Sequence, residues 1–284
     1  MGYNKPMEKA VLYLSLFLGG FILVSLFSFF LAIRPPLIEV GAKPESFSLS
    51  AEEITLSAPD GTALSAWWIP GETERAIIFL HGYPAEKSDM LSLAAPLSPA
   101  FSLLLLDLRY FGQSGGAFST LGVKERHDVK AAVDFLKEKG VSHIGVFGFS
   151  LGGATAMLAA AIDPRIEAVA TYAAFSSHRR IAHEAYRSIG PLKYPLVFLM
   201  ELWARVVFGA SVADTAPEDA ARGLSIPVFV IHRRGDEQIS FAHAERLKES
   251  LSENPRAEFY FFDEGFHGEL PFDISFRLSQ FFKK

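Results

Sequence analysis

The chain contains no cysteine. That absence removes disulfides, thiol nucleophiles and thiolate metal sites together, while leaving the redox compartment undetermined. Nor is there an excess of positive charge: the 284 residues carry 27 lysines and arginines against 32 aspartates and glutamates, a net charge of −5, with the basic residues scattered. No nucleic-acid partner is expected. No H-E-x-x-H occurs, and His178 and His183 are spaced unlike a helical ligand pair, so no metal is expected. The chain also lacks a dinucleotide glycine fingerprint and a phosphate-binding loop, and no cofactor is expected. It shows no internal repeat and no low-complexity tract.

Charge is missing altogether from residues 10–33. This mostly apolar run of about 24 residues is long enough, as a helix, to cross a bilayer core of about 30 Å. A cleaved signal peptide is the alternative, but the run exceeds the usual apolar region of about 7–15 residues and no small-x-small site follows closely. The expectation is a membrane anchor over residues 1–34. Lys5 and Lys9 precede the run and Arg34 and Lys43 follow it, a shallow asymmetry that slightly favours an N-terminus inside and an extracytoplasmic folded part. Pro35 and Pro36 then stop the helix and start an extended linker over 35–51.

Residues 52–284 suit one α/β domain with a sizeable core. Strand-like runs begin near Ile54, Leu64, Ala76, Ser102, His143, Ile166, Pro227 and Ala257, with helix-like stretches between most of them. The first two are joined by P-D-G-T at 59–62 and read as an antiparallel hairpin at the sheet edge. The alternation afterwards predicts a doubly wound, mostly parallel sheet of about eight strands. The interval 174–225 is too long for a simple crossover and is expected to hold a helical cap over about 175–225. Within it, residues 194–208 are apolar apart from Glu201 and Arg205, which are expected to pair on one helix face. The rest of that helix packs on the core or forms a lid or membrane-facing surface. Arg179 and Arg180 are expected on a solvated face, with an acidic substrate group as the alternative partner.

The chemistry is concentrated in G-F-S-L-G-G at 148–153. The residues before Ser150 read as a buried strand and those after it as a small-faced helix. The serine would sit in a sharp turn that demands glycine on both sides, because side chains at Gly148 or Gly152 would collide with neighbouring elements. A hydroxyl needs a base, and the base needs an acid to fix its tautomer. P-V-F-V-I-H-R-R-G-D puts Asp236 just past a strand, and A-E-F-Y-F-F-D-E-G-F-H puts His267 after the next one. Both should lie at the carboxyl edge of the sheet that carries Ser150, in the chain order Ser, Asp, His. A surface loop histidine is the plainer reading of His267. Upstream, A-I-I-F-L-H-G-Y-P makes the backbone N–H of Tyr83 one oxyanion donor, and that of Leu151, at the helix N-terminus, the other. His81 and His232 read as structural histidines at strand ends.

These pieces together resemble an α/β-hydrolase of the serine aminopeptidase-like branch, which includes membrane-anchored α/β-hydrolase-domain proteins. The resemblance runs from about Glu52 onward and rests on F-L-H-G at 79–82, D-L-R-Y-F-G-Q-S-G-G at 107–116, G-F-S-L-G-G, I-P-V-F-V-I-H-R-R-G-D at 226–236 and G-F-H-G at 265–268. It implies that the glycines of 112–116 form a structural turn. One departure is Arg233, where that family usually has glycine; Glu237 and Asp263 are the alternative acids. The expected activity is hydrolysis of a small-molecule or lipid-like ester or thioester by Ser150, His267 and Asp236. A peptidase or amidase on the same triad, and a membrane-tethered binding protein with an idle site, are the alternatives.

Overall fold

The computed structural model describes residues 5–38 and 41–284. A long helix, α1 (Lys5–Ile33), comes first. It is followed by β1 (Glu52–Ser57), β2 (Ala63–Ile69), β3 (Arg75–Leu80), α2 (Leu91–Ala94), β4 (Ser102–Leu106), α3 (Glu125–Glu138), β5 (His143–Phe149), α4 (Leu151–Ala160) and β6 (Ile166–Tyr172). Then come α5 (His178–Ala185), α6 (Lys193–Phe208), α7 (Pro217–Arg222), β7 (Val228–Arg233), α8 (Phe241–Ser250), β8 (Ala257–Phe262) and α9 (Ile274–Phe282).

The strands form one 8-stranded sheet in the order β1-β2-β4-β3-β5-β6-β7-β8. β1 pairs antiparallel with β2, and β2 with β4, while all pairs from β4 to β8 are parallel. The expected edge hairpin and mostly parallel sheet are thus both present. Side chains alternate across the sheet, as the period of 2 requires. Ile78 and Leu80 of β3 face a core with Val129, Ala154 and Leu247 from α3, α4 and α8, whereas Ile77 and Phe79 face one with Leu91 and Leu278 from α2 and α9. Burial on both faces explains why β3 and β5 read as near-continuous apolar runs. The chain leaves β3 toward β4 and returns on the other side to β5, so a switch point opens between the carboxyl ends of β3 and β5.

The long N-terminal helix is docked on the folded part. The last turns of α1 lie against α6: Phe29 packs on Phe208, and Trp203 donates a hydrogen bond to Ser25 Oγ (3.0 Å). The amide of Ser119 donates to Ile33 O (2.9 Å), Arg34 Nε donates to Ala117 O (2.9 Å) and Tyr110 Oη donates to Pro35 O (2.8 Å). The stretch expected as an extended linker is also partly folded, with a 3₁₀ turn at Pro44–Phe47 and Leu49 buried; its residues 39–40, and residues 1–4 of the expected anchor, lie outside the described residues. A further correction concerns Glu201, whose carboxylate takes two 2.6 Å hydrogen bonds from Arg179 rather than pairing with Arg205. Tertiary approach of α5 offered a planar fork that matches a carboxylate better than a neighbour on the same helix.

Candidate active site

β5 ends at Phe149 and α4 begins at Leu151, leaving Ser150 alone in the turn between them. Its backbone has φ 50° and ψ −111°, a conformation that side-chain-bearing residues seldom adopt. Two hydrogen bonds hold it there: Ser150 N–H to Tyr172 O (2.8 Å) and Ala154 N–H to Ser150 O (3.1 Å). The flanking glycines are required by contact. A Cβ on Gly148 would strike the backbone carbonyl of Gly152, and one on Gly152 would strike the carbonyls of Leu80 and His81. The turn is therefore wedged against the end of β3.

That strand end supplies the second wall. His81 is fully buried, its Nε2 accepting from the Leu108 amide (3.1 Å) and its Nδ1 2.7 Å from Gly82 O, which assigns the neutral ring with the proton on Nδ1. Burial pulls its pKa down, and the ring braces the loop. Tyr83 follows. Among the described residues, neither its N–H nor that of Leu151 donates a hydrogen bond, so both remain available. The Tyr83 hydroxyl donates to Ala32 O of α1 (3.1 Å).

On the other side, Asp236 follows β7 and His267 follows β8. His267 Nδ1 lies 2.8 Å from Asp236 Oδ2 and 3.0 Å from Oδ1. The amides of Ile239 (2.8 Å) and Gln238 (2.9 Å) also donate to Asp236 Oδ1. Burial pushes the Asp236 carboxyl up, but the hydrogen bonds from His267 and the two amides outweigh it and hold it below the usual range. His267 packs its ring on Phe149, with centroids 5.0 Å apart, and donates its backbone N–H to Glu237 Oε1 (3.0 Å). Glu237 thus touches the main chain of His267 and not its ring. Asp263, the other alternative acid, is 79% exposed and stands 3.7 Å from Arg234. His232 is buried, with Nε2 3.0 Å from Ile239 O.

Asp236 and His267 are therefore hydrogen-bonded, whereas among the described residues no hydrogen bond joins Ser150 Oγ to His267. Ser150 lines a cavity of about 400 Å³ with Leu121, Phe175, Ile181 and Met200. His267 lines an adjoining one of about 450 Å³, and Tyr83 and Gln238 border both. Among the described residues no group of three or more metal-type ligands occurs. Three participants escaped sequence reasoning: Ala32, which lines the Ser150 cavity, the Tyr83 hydroxyl and Gln238. Only the substitution at Arg233 gave a signal, and its Nε donates to Gly265 O (2.7 Å), tying β7 to the loop that carries His267.

A family model described as alpha/beta hydrolase fold matches residues 75–198. The uncharacterized protein YfhR of Escherichia coli (strain K12) is 29% identical over 219 residues, covering 73% of this chain and 70% of its own. A pimeloyl-[acyl-carrier protein] methyl ester esterase of Proteus mirabilis is 34% identical over 126 residues, 44% of this chain and 45% of that protein. Among solved structures, the Pyrococcus furiosus esterase Pf2001 superposes with a TM-score of 0.73 at 22% identity, over 88% of this chain and 97% of that one. Strand order, the serine turn at the switch point and the family match agree, and the chain has the α/β-hydrolase fold.

Proposed function

We propose that the chain is a serine hydrolase that cleaves carboxylic esters or thioesters with apolar acyl groups through an acyl-enzyme on Ser150. The observation that carries this reading is the hydrogen-bonded Asp236–His267 pair at the sheet edge where Ser150 stands beside two free N–H groups. Ser150 Oγ attacks the acyl carbon as His267 Nε2 takes its proton. The carbonyl electron pair moves onto oxygen, where the amides of Tyr83 and Leu151 receive it. On collapse, the C–O or C–S bond breaks and His267 gives its proton to the leaving alcohol or thiol. Water then attacks the acyl-enzyme with His267 again as base, releasing the acid and restoring Ser150. Asp236 stays ionised throughout and orients His267. The proposal does not require a standing Ser150–His267 hydrogen bond, since such bonds are often long until substrate closes them.

One N-terminal helix, Pro6–Ile33, is long and apolar enough to cross a membrane. We read it as a single-pass anchor with the folded domain on the extracytoplasmic side. A serine-reactive phosphonate should label Ser150, and Ser150→Ala should abolish labelling and turnover. Labelling at a different serine would overturn the reading, and release of amine but not alcohol or thiol would replace it with a peptidase.

A further inference from the structure

We propose that the Ser150 cavity is filled from within the membrane: the last turn of α1 and the outer face of α6 hold its mouth in the near leaflet, and the substrate is an ester whose acyl chain resides there. This rests on the hydrolase and anchor readings above and adds where the substrate comes from.

Helix length sets the depth. Pro6–Ile33 is 28 residues, about 42 Å as a helix against a hydrocarbon core of about 30 Å, so the excess is about 12 Å. The docked stretch from Ser25 to Ile33 is itself about 12 Å long. Only if all the excess emerged on the folded side would Ser25 lie as shallow as the hydrocarbon boundary; any other placement, and any tilt, sinks it deeper. Trp203 of α6 is hydrogen-bonded to Ser25, so that part of α6 shares its level.

The exposed surface of α6 suits such a setting. Tyr194 (60% exposed), Phe198 (66%), Leu202 (43%) and Val206 (69%) recur every four residues and form one apolar stripe. Left in water this stripe, beside an equally apolar α1, would be a costly surface. Charge fits as well. The only acid on α6, Glu201, is neutralised by Arg179, while Arg187, Lys193 and Arg205 remain as cations whose long stems can snorkel toward anionic headgroups.

The cavity adjoins this surface. Ala32 of α1 and Met200 of α6 both line it with Ser150, and Tyr83, which also lines it, is held through its hydroxyl by Ala32 O. The helix that enters the bilayer is thus also a wall of the acyl site.

Because the chain has no cysteine, single nitroxide labels can be placed cleanly. Full-length Phe198→Cys, Val206→Cys and, as a solvent control, Glu249→Cys would be labelled and reconstituted in vesicles of phosphatidylcholine and phosphatidylglycerol. The first two labels should be relaxed by oxygen and shielded from a water-soluble nickel chelate, and the third the reverse. Labels at 198 and 206 as open to nickel as that at 249 would overturn the proposal, and so would shielding from both reagents, which would mean a protein partner. In the same vesicles, hydrolysis of p-nitrophenyl palmitate should fall as it is diluted with lipid at constant bulk concentration, while that of the soluble acetate should not. Ala32→Trp should lower the palmitate-to-acetate rate ratio by about tenfold, the scale of a steric change in a hydrophobic pocket. A palmitate rate indifferent to lipid dilution, or an unchanged ratio, would refute bilayer delivery. Failure of phosphonate labelling would instead sink the hydrolase reading, and the nitroxide result would still decide where α6 lies.

Discussion

The guanidinium of Arg233 reaches from the end of β7 to the carbonyl of Gly265, 2.7 Å away and two residues before His267. The same side chain stands 3.4 Å from Glu237, which in turn accepts the His267 amide (3.0 Å). Arg233 therefore holds the His267 loop from both directions without touching the imidazole.

If that linkage sets where the ring sits, Arg233→Ala should lower kcat by roughly 10- to 100-fold, the scale of a small displacement of a catalytic group. KM should stay within about twofold, because Arg233 does not line the Ser150 cavity. Arg233→Lys should recover part of the loss by keeping one donor. Steady-state kinetics on a soluble ester separate kcat from KM and check this.

Asp236→Asn should cut kcat by about 10⁴ by favouring the wrong His267 tautomer. Glu237→Gln and Asp263→Asn should cost far less, since neither carboxylate meets the ring. Parallel rates for the three variants decide among the acids.

Much of this was legible in the sequence, and for a physical reason. Parallel strands buried on both faces write themselves as apolar runs, so all eight starts fall within about two residues of their expected positions. Ser150, Asp236 and His267 follow strand ends, and the sheet delivers strand ends to one edge. What could not be read was contact between elements far apart in the chain. Glu201 lies four residues from Arg205, yet finds Arg179 on another helix. Ala32 sits in a run whose apolar character says only that it avoids water, not which neighbour it meets.

The depressed Asp236 pKa has a thermodynamic consequence. Its folded value lies below its unfolded value of about 3.9, so the stabilisation it contributes is fully present above about pH 5 and is lost as pH falls through the folded value. The stability gap between the native chain and Asp236→Asn should therefore be largest near neutrality and shrink toward pH 3. Urea unfolding at both pH values measures it, and a gap that grew on acidification would contradict the sign.

Gly152→Ala should be severe for a reason unconnected with chemistry. Its methyl would meet two backbone carbonyls at the end of β3, which cannot yield as a side chain could. Overpacking of this kind costs about 1–3 kcal/mol, and the upper end applies here. The expected fall in melting temperature is about 5–10 °C by thermal unfolding.

From β5 onward the strands stand in space in the order in which they are written along the chain, β5-β6-β7-β8. Each can be laid onto an edge already formed, with no later strand inserted between earlier ones. Ser150 belongs to the first of these additions, Asp236 to the third and His267 to the fourth. An intermediate built as far as β6 would carry the finished serine turn but neither the proposed base nor the proposed acid. On the proposed mechanism such a species would meet ester-bearing neighbours without reacting, because the last strand of the series also brings His267, the residue proposed to arm the serine.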